Sequence, residues 1–538
     1  MPVSPRRAAE AGFTLVTVMG VLLIASLLSV ATFAAVNGDA RESGKDVGRK
    51  QALAAAEAGV NDYLFHLNQD NAYWTKCTNV PSPNAVNDVW DGTGTDPRRW
   101  RNVPGSNAQY AIELLPVAPY SKCTPGTNVA SSMIDTSSRT LRIRVTGRVP
   151  TAAGMDYRSV IAAVKRDGFL DFLYFTDYET SDSVWYAVST KGRPTGGSQG
   201  DVISWAANNC NTTYWRDGRG SLKWNGKYTD TNTTAPTITC TQIQFANKDV
   251  VAGPLHTNDE LYTCDSPTFG RTAQDRIESG ASFRPACTAS ATPNFRGTFL
   301  QDQKVIGMPA TNSQLKQITQ PAYLFSGTQT IQLRVSDMLV NGTPTPYPPN
   351  GVLYVQNNGY CPAYQALDPD NNTANCGNVD LTGNYGRDLT IATENDIVIR
   401  GDVTRNGDAM LGLIANQFIR VANPSDHYDS TDPTKCNNNA VTADRQIDAA
   451  ILSLQHSFTV DNYYCGHPIG TLTVNGVIAQ KFRGPVGTGG ASGAVTGYIK
   501  AYNYDDRMAY RSPPNFLDPV QSAWRVARYT EQAPARGH

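Results

Sequence analysis

The sequence predicts an α+β protein: a long, hydrophobic N-terminal α-helix carrying an antiparallel sheet, followed by a large, mostly-β domain. Three observations predict it. From Ala11 to Gly38 there is no charged residue. Between 108 and 168 three runs alternate apolar and polar residues with a period of two. Beyond 248, short β-like runs recur between Gly, Asn and Asp. At 538 residues the chain can bury more than one core.

The helix comes first. At ~1.5 Å per residue, the run from Phe13 to Val36 reaches roughly 36 Å, enough for a ~30 Å hydrocarbon layer. Arg6 and Arg7 precede it, so the start stays in the cytoplasm and everything after Asn37 lies outside. A secretory signal peptide has an apolar region of about 7–15 residues and is then removed. This run is longer, although small residues from Ala31 to Ala35 would suit such a cut. A plain single-span anchor is a further reading. Past the run, "RKQALAAAEAGVNDYLFHLNQ" sets Leu53, Ala56, Val60, Leu64 and Leu67 three and four residues apart, so the helix continues to 67. Gly59 costs it about 1 kcal/mol.

The stretch "AGFTLVTVMGVLLIASLLSV" resembles the class III signal of type IV pilins and pseudopilins. "ALAAAEAGVNDYLFHL" resembles the AAEAG stretch of PilX-type minor pilins. The resemblance implies a leader over 1–12, cut by a prepilin peptidase between Gly12 and Phe13, with methylation of Phe13. It also implies that the helix is retained, first in the membrane and then in a filament core. Phe13, Leu15, Val16, Thr17, Leu22, Leu23, Ile24, Leu27 and Leu28 would make those contacts. A helix apolar all round is stable in lipid or among other helices. The family carries a glutamate where this chain has Thr17. A lone buried carboxylate is costly unless paired, and Thr17 removes both the cost and the pairing. In related filaments the tip subunit lacks that glutamate, so Thr17 points to a minor or tip position.

The sheet follows in "AQYAIELLPV" (108–117), "RTLRIRVTGRV" (139–149) and "YRSVIAAVKRDG" (157–168). In the second run Leu141, Ile143 and Val145 alternate with Arg142 and Arg144. One apolar face suits a sheet laid against a helix, and 13–168 reads as one pilin-like module, helix plus β-meander. Residues 169–247 read as an aromatic, polar insertion stapled by a disulfide. Trp185, Trp205, Trp215 and Trp224 serve either as its small core or as plates for a sugar or partner. In 248–482, "DLTIATENDIVIRGDV" looks like consecutive rungs of a β-solenoid. No strict repeat period is visible, so a sandwich stays open. The region also resembles, loosely, the extracellular part of PilX-like proteins. Residues 483–538 read as a Gly/Pro-rich segment and tail, the last ten of disorder-like composition.

Ten cysteines form neighbouring couples: Cys77 and Cys123, Cys210 and Cys240, Cys264 and Cys287, Cys361 and Cys376, Cys436 and Cys465. No CxxC spacing supports zinc. Disulfides in an oxidising, extracytoplasmic space fit better. Spacing does not fix connectivity, and we take pairing between neighbours as the expectation.

Catalytic signals are sparse. His256 stands near Asp259 and Glu260. Asp171, Asp177 and Glu179 sit in the aromatic junction "GFLDFLYFTDYETSD". Asp396, Asp402 and Asp408 are the nearest thing to a glycosidase's carboxylate cluster, but they fall at turn positions, where Asp is expected anyway. No GxSxG, HExxH, GxGxxG or Walker pattern occurs. No cofactor is expected; Ca2+ is the ion that oxygen-rich "DPDNN" (368–372) and "DHYDSTD" (426–432) would suit, without EF-hand spacing. Forty-six basic residues against forty-seven acidic ones leave a net charge of −1, which gives no footprint for nucleic acid.

Two functions compete. The first is a non-enzymatic minor or tip subunit of a type IV pilus-like filament, displaying its β-domain for assembly or adhesion. It starts as a single-pass membrane protein with a cytoplasmic N-terminus and ends at the cell surface or in the pilus. Its partners are other pilin subunits, the assembly machinery, the prepilin peptidase, the membrane, and a surface carbohydrate or cell-surface ligand. The alternative is a membrane-anchored extracellular enzyme acting on carbohydrate, or a carbohydrate-binding protein.

Overall fold

A computed structural model describes residues 13–532 except 71–72, 78–99, 121–122, 124–131, 136–139, 153, 188–198, 213, 218–222, 225–237, 248, 286–291, 367–372, 424–442, 491–492, 510 and 521–523. The leader with Gly12, both oxygen-rich loops, Cys287 and Cys436 therefore lie outside the described residues. The chain divides into two units. One comprises Met1–Thr136, Thr140–Lys165 and Trp524–His538, and the other Ser137–Arg139 and Arg166–Ala523.

The first unit is built on one helix, Phe13–Gln69. Its second half buries Ala52, Ala55, Ala56, Val60, Tyr63 and Leu67 on one face. Leu53 and Leu64, expected on the same stripe as Ala56, Val60 and Leu67, are only partly buried against that core. The centre is small because the helix touches the sheet there. A Cβ at Gly147 would fall 1.9 Å from the Ala52 carbonyl oxygen, and one at Gly59 would fall 2.6 Å from the Tyr110 ring. The sheet runs in the order Arg101–Asn102, Gln109–Leu115, Thr140–Thr151, Gly154–Arg166 and Trp524–Gln532. Its first three pairings are antiparallel. Ile112, Leu114, Leu141, Ile143, Val145 and Val160 face the helix in one core, closed by the Cys77–Cys123 disulfide. The last strand comes from the segment that the sequence suggests is a tail. Asn68 holds its start, with Nδ2 donating to the Trp524 carbonyl at 3.0 Å and Oδ1 accepting from the Trp524 amide at 2.8 Å.

The second unit is a parallel β-solenoid, not a sandwich, whose sheets would be antiparallel. One ladder stacks Leu324–Ser326, Val352–Gln356, Leu389–Thr393, Leu411–Ala415 and Ala450–Ser453 in parallel. It continues through the second half of Pro468–Arg483 to Tyr174–Ser181, Leu255–Thr257, Arg276–Ser279 and Thr298–Leu300. In-register partners form a column of Leu353, Ile391, Leu413, Ile451, Ile478, Tyr174, Leu255 and Ile277, all buried. A second parallel ladder includes Gln329–Leu333, Val379–Tyr385, Ile397–Arg405 and Ile419–Val421. The two strands of "DLTIATENDIVIRGDV" therefore belong to different ladders. They are adjacent sides of the coil rather than stacked rungs.

Stacking order differs from chain order. Strand Tyr174–Ser181 enters the ladder first in sequence, yet it lies between Leu255–Thr257 and the far later Pro468–Arg483. The chain coils outward to Thr298–Leu300, then returns along residues 301–323. Ile306 is bonded in both directions to Asn258. Asn312 Nδ2 donates to the carbonyls of Thr393 and Ile414. From Leu324 the chain coils back until its last rung meets its first. The Cys210–Cys240 and Cys361–Cys376 disulfides clasp excursions from the coil. Cys210 and Cys240 join Tyr186, Ala206 and Trp215 in a small separate core. Cys264 and Cys465 are also disulfide-bonded.

Candidate functional site

The expected membrane and filament helix is the first candidate. Phe13, Leu15, Val16 and Thr17 lie on helical backbone, and their side chains are outside the described residues. Leu22, Leu23, Ile24, Leu27 and Leu28 are exposed, each near 60% (59–63%). Among the described residues no helix is long and apolar enough to cross a membrane; the continuous run of described side chains begins at Val18 and stops at Val30.

The second candidate is the seam between the solenoid's first and last rungs. It gathers groups that the sequence scatters over 300 residues. Arg483 Nη1 donates to Glu179 Oε2 at 2.9 Å, and both side chains are buried. The guanidinium lies 3.4 Å from the Phe245 ring centre and donates through Nη2 to the Gln244 carbonyl. Glu179 also accepts from the Thr176 hydroxyl. Gln480 Oε1 accepts from the amides of Phe458 and Gly484, while its Nε2 donates to the Tyr174 hydroxyl.

His256 belongs to the same region. Its ring nitrogens lie 2.8 Å from Glu278 Oε2 and 2.9 Å from Asn258 Oδ1, and its ring stacks on Phe175. Asn258 Nδ2 and the Tyr214 hydroxyl both donate to Asp177 Oδ1 at 2.8 Å. Asp259, fully buried, accepts from the amides of Glu260, Arg216 and Glu179. Burial raises its carboxyl to about 7 against those amide bonds. Burial also raises Asp177, against its bonds from Asn258 and Tyr214. Glu179, His256 and Asp259 are thus closed off from solvent and engaged with protein partners, the arrangement of a structural network. Glu260 instead faces Arg284 at 2.9 Å, and Asp171 accepts from the Gly168 amide at the aromatic junction.

The glycosidase-like carboxylates do not share one site, because each faces a different arginine. Asp396 Oδ2 lies 3.0 Å from Arg420 Nε, and Arg420 Nη1 lies 2.6 Å from Asp461 Oδ2. Burial raises Asp396, opposed by the Arg420 charge. Asp402 lies 3.3 Å from Arg445, and Asp408, almost fully exposed, 3.8 Å from Arg507. Among the described residues no group of three or more His, Cys, Asp or Glu is placed to hold a metal ion.

Arg420 and Arg483 were missed in the sequence. In "NQFIRVA" Phe418, Ile419, Arg420 and Val421 are all buried, so strand parity gives no signal for the arginine. Of the tryptophans, Trp185 and Trp215 are buried and Trp205 packs against the small disulfide core; the Trp224 side chain is outside the described residues.

Comparison with protein families gives no match, and comparison with curated proteins gives none. Among solved structures, the chain is similar to the crystal structure of competence-associated pilin ComZ from Thermus thermophilus. The identity is 9%, over 90% of this chain and 97% of that one, at a TM-score of 0.26. A likeness at that TM-score carries no argument about this chain's activity.

Proposed function

We propose that this chain is a minor or tip subunit of a type IV pilus-like filament, non-enzymatic, which displays the solenoid outside the cell for assembly or adhesion. One observation carries the reading. A single helix packs its second half on an antiparallel sheet, while the described side chains from Val18 to Val30 are all exposed. A bare apolar surface of that length is unfavourable in water. Lipid before assembly, and neighbouring helices after it, would cover it. Leader removal after Gly12, methylation of Phe13 and the tip position implied by Thr17 belong to the same proposal. So do a cytoplasmic start and an extracellular solenoid, whose disulfides suit an oxidising space. The separate engagement of Asp396, Asp402 and Asp408 by three arginines favours display over catalysis.

A photo-cross-linking residue placed at Leu23 tests the reading in cells. The expected products join this chain to other pilin-type subunits in the sheared filament fraction. Products confined to lipid or to soluble protein would contradict it.

A further inference from the structure

Beside the seam a cavity of about 520 Å³ opens between residues 242–247 and Asp249, the turn at 483–489 and strand Gly493–Tyr504. That is the size of a small-ligand site, ~300–1,000 Å³. We propose that it binds a neutral saccharide unit. This proposal stands whether or not the chain enters a filament.

The charges in the cavity wall cancel. Lys500 Nζ donates to Asp249 Oδ2 at 2.7 Å, with both side chains mostly buried. Arg483, also in the wall, is neutralised by Glu179. Among the described lining residues no unpaired positive charge remains to select a phosphate or carboxylate. The aromatic residue in the lining, Tyr498, is 3% exposed and offers no open ring face for a nucleobase.

The remaining chemistry is mixed. An ammonium has three protons, and a carboxylate has about four acceptor positions. The Lys500–Asp249 pair can therefore meet a hydroxyl that donates and accepts together. Gln244, Asn247 and Thr488 add amide and hydroxyl groups to the lining, while Val486, Pro485 and Ile499 add apolar faces. A sugar ring matches this surface, with hydroxyls around its edge and C–H groups on its face. Ile499, 48% exposed, stands at the mouth.

The test is titration of the full chain with glucose, galactose, mannose and N-acetylglucosamine, followed by calorimetry and ligand-observed NMR, with N-acetylneuraminic acid as the charged comparison. Saturable binding of at least one neutral sugar is expected, and the acid should bind at least tenfold more weakly. Ile499→Trp, which fills the mouth from an exposed position, should cut the affinity at least tenfold with an unchanged melting temperature. Lys500→Met should also cut the affinity at least tenfold through loss of the donor, with a lower melting temperature because Asp249 is left unpaired. No neutral sugar bound at millimolar concentration would overturn the proposal. So would equal binding of the acid, or full affinity in Ile499→Trp.

Discussion

Arg483 and Glu179 form a buried ion pair at 2.9 Å across 304 residues of chain. It spans the seam where the last rung of the solenoid docks on the first. Removing one member strands a charge away from water, at a cost of about 3–5 kcal/mol, whereas replacing both with apolar residues is often near neutral. Glu179→Ala should therefore destabilise the second unit by about that much, and Glu179→Leu with Arg483→Met by clearly less. Denaturant unfolding followed by tryptophan fluorescence reads the difference. Equal losses in the single and double variants would remove the seam pair from the account.

Asp259 gives the seam a pH dependence of definite sign. Its folded pKa, about 7, lies above the unfolded value of about 3.9, so the folded state holds the proton more tightly. Its contribution is complete below the unfolded pKa and is lost as pH rises toward 7. Asp259→Asn should flatten the fall in melting temperature between pH 4 and pH 7. An unchanged slope in that variant would place the titration elsewhere.

The helix and sheet of the first unit meet through Gly147, which has no room for a side chain beside Ala52 and Ala56. Overpacking of this kind costs about 1–3 kcal/mol. Gly147→Val should lower the stability of the first unit by that much. Asn68→Ala should speed amide exchange in 524–532, since it removes both bonds to Trp524. Unaltered exchange there would mean that the sheet alone retains the last strand.

Loop length ranks the disulfides. Cys361–Cys376 closes 15 residues, Cys210–Cys240 closes 30 and Cys77–Cys123 closes 46. Loop-entropy arguments put these at about 3 to 4 kcal/mol each, rising with length. Paired Cys→Ser replacement, one bridge at a time, should lower the melting temperature in that order. A reversed order would show that native packing, not chain entropy, decides.

The fold was legible where one physical signal dominates. The uncharged run and the three- and four-residue stripe mark the helix, and the period of two marks Gln109–Leu115 and Thr140–Thr151. Of the stripe, Ala56, Val60 and Leu67 are buried, while Leu53 and Leu64 are only partly so; the close approach of Gly147 to Ala52 and Ala56 gives the face a small centre that apolar spacing alone does not mark. The solenoid's repeat was blurred because strand spacing changes. Leu389 pairs with Leu411, but Gly412 pairs with Ala450 across a long excursion. The seam and the returning strand Trp524–Gln532 were not legible, because each partner lies hundreds of residues away. The buried arginines were overlooked because a charge normally marks a solvated position.

Everything assigned to the filament requires that the mature chain keep its helix and lose only its leader. Mass spectrometry of the amino terminus, on protein recovered from cells, measures this directly. The expected terminus is Phe13, carrying a methyl group. A chain that still begins at Met1, or one that begins near Ala35 with the helix cut away, would contradict the account.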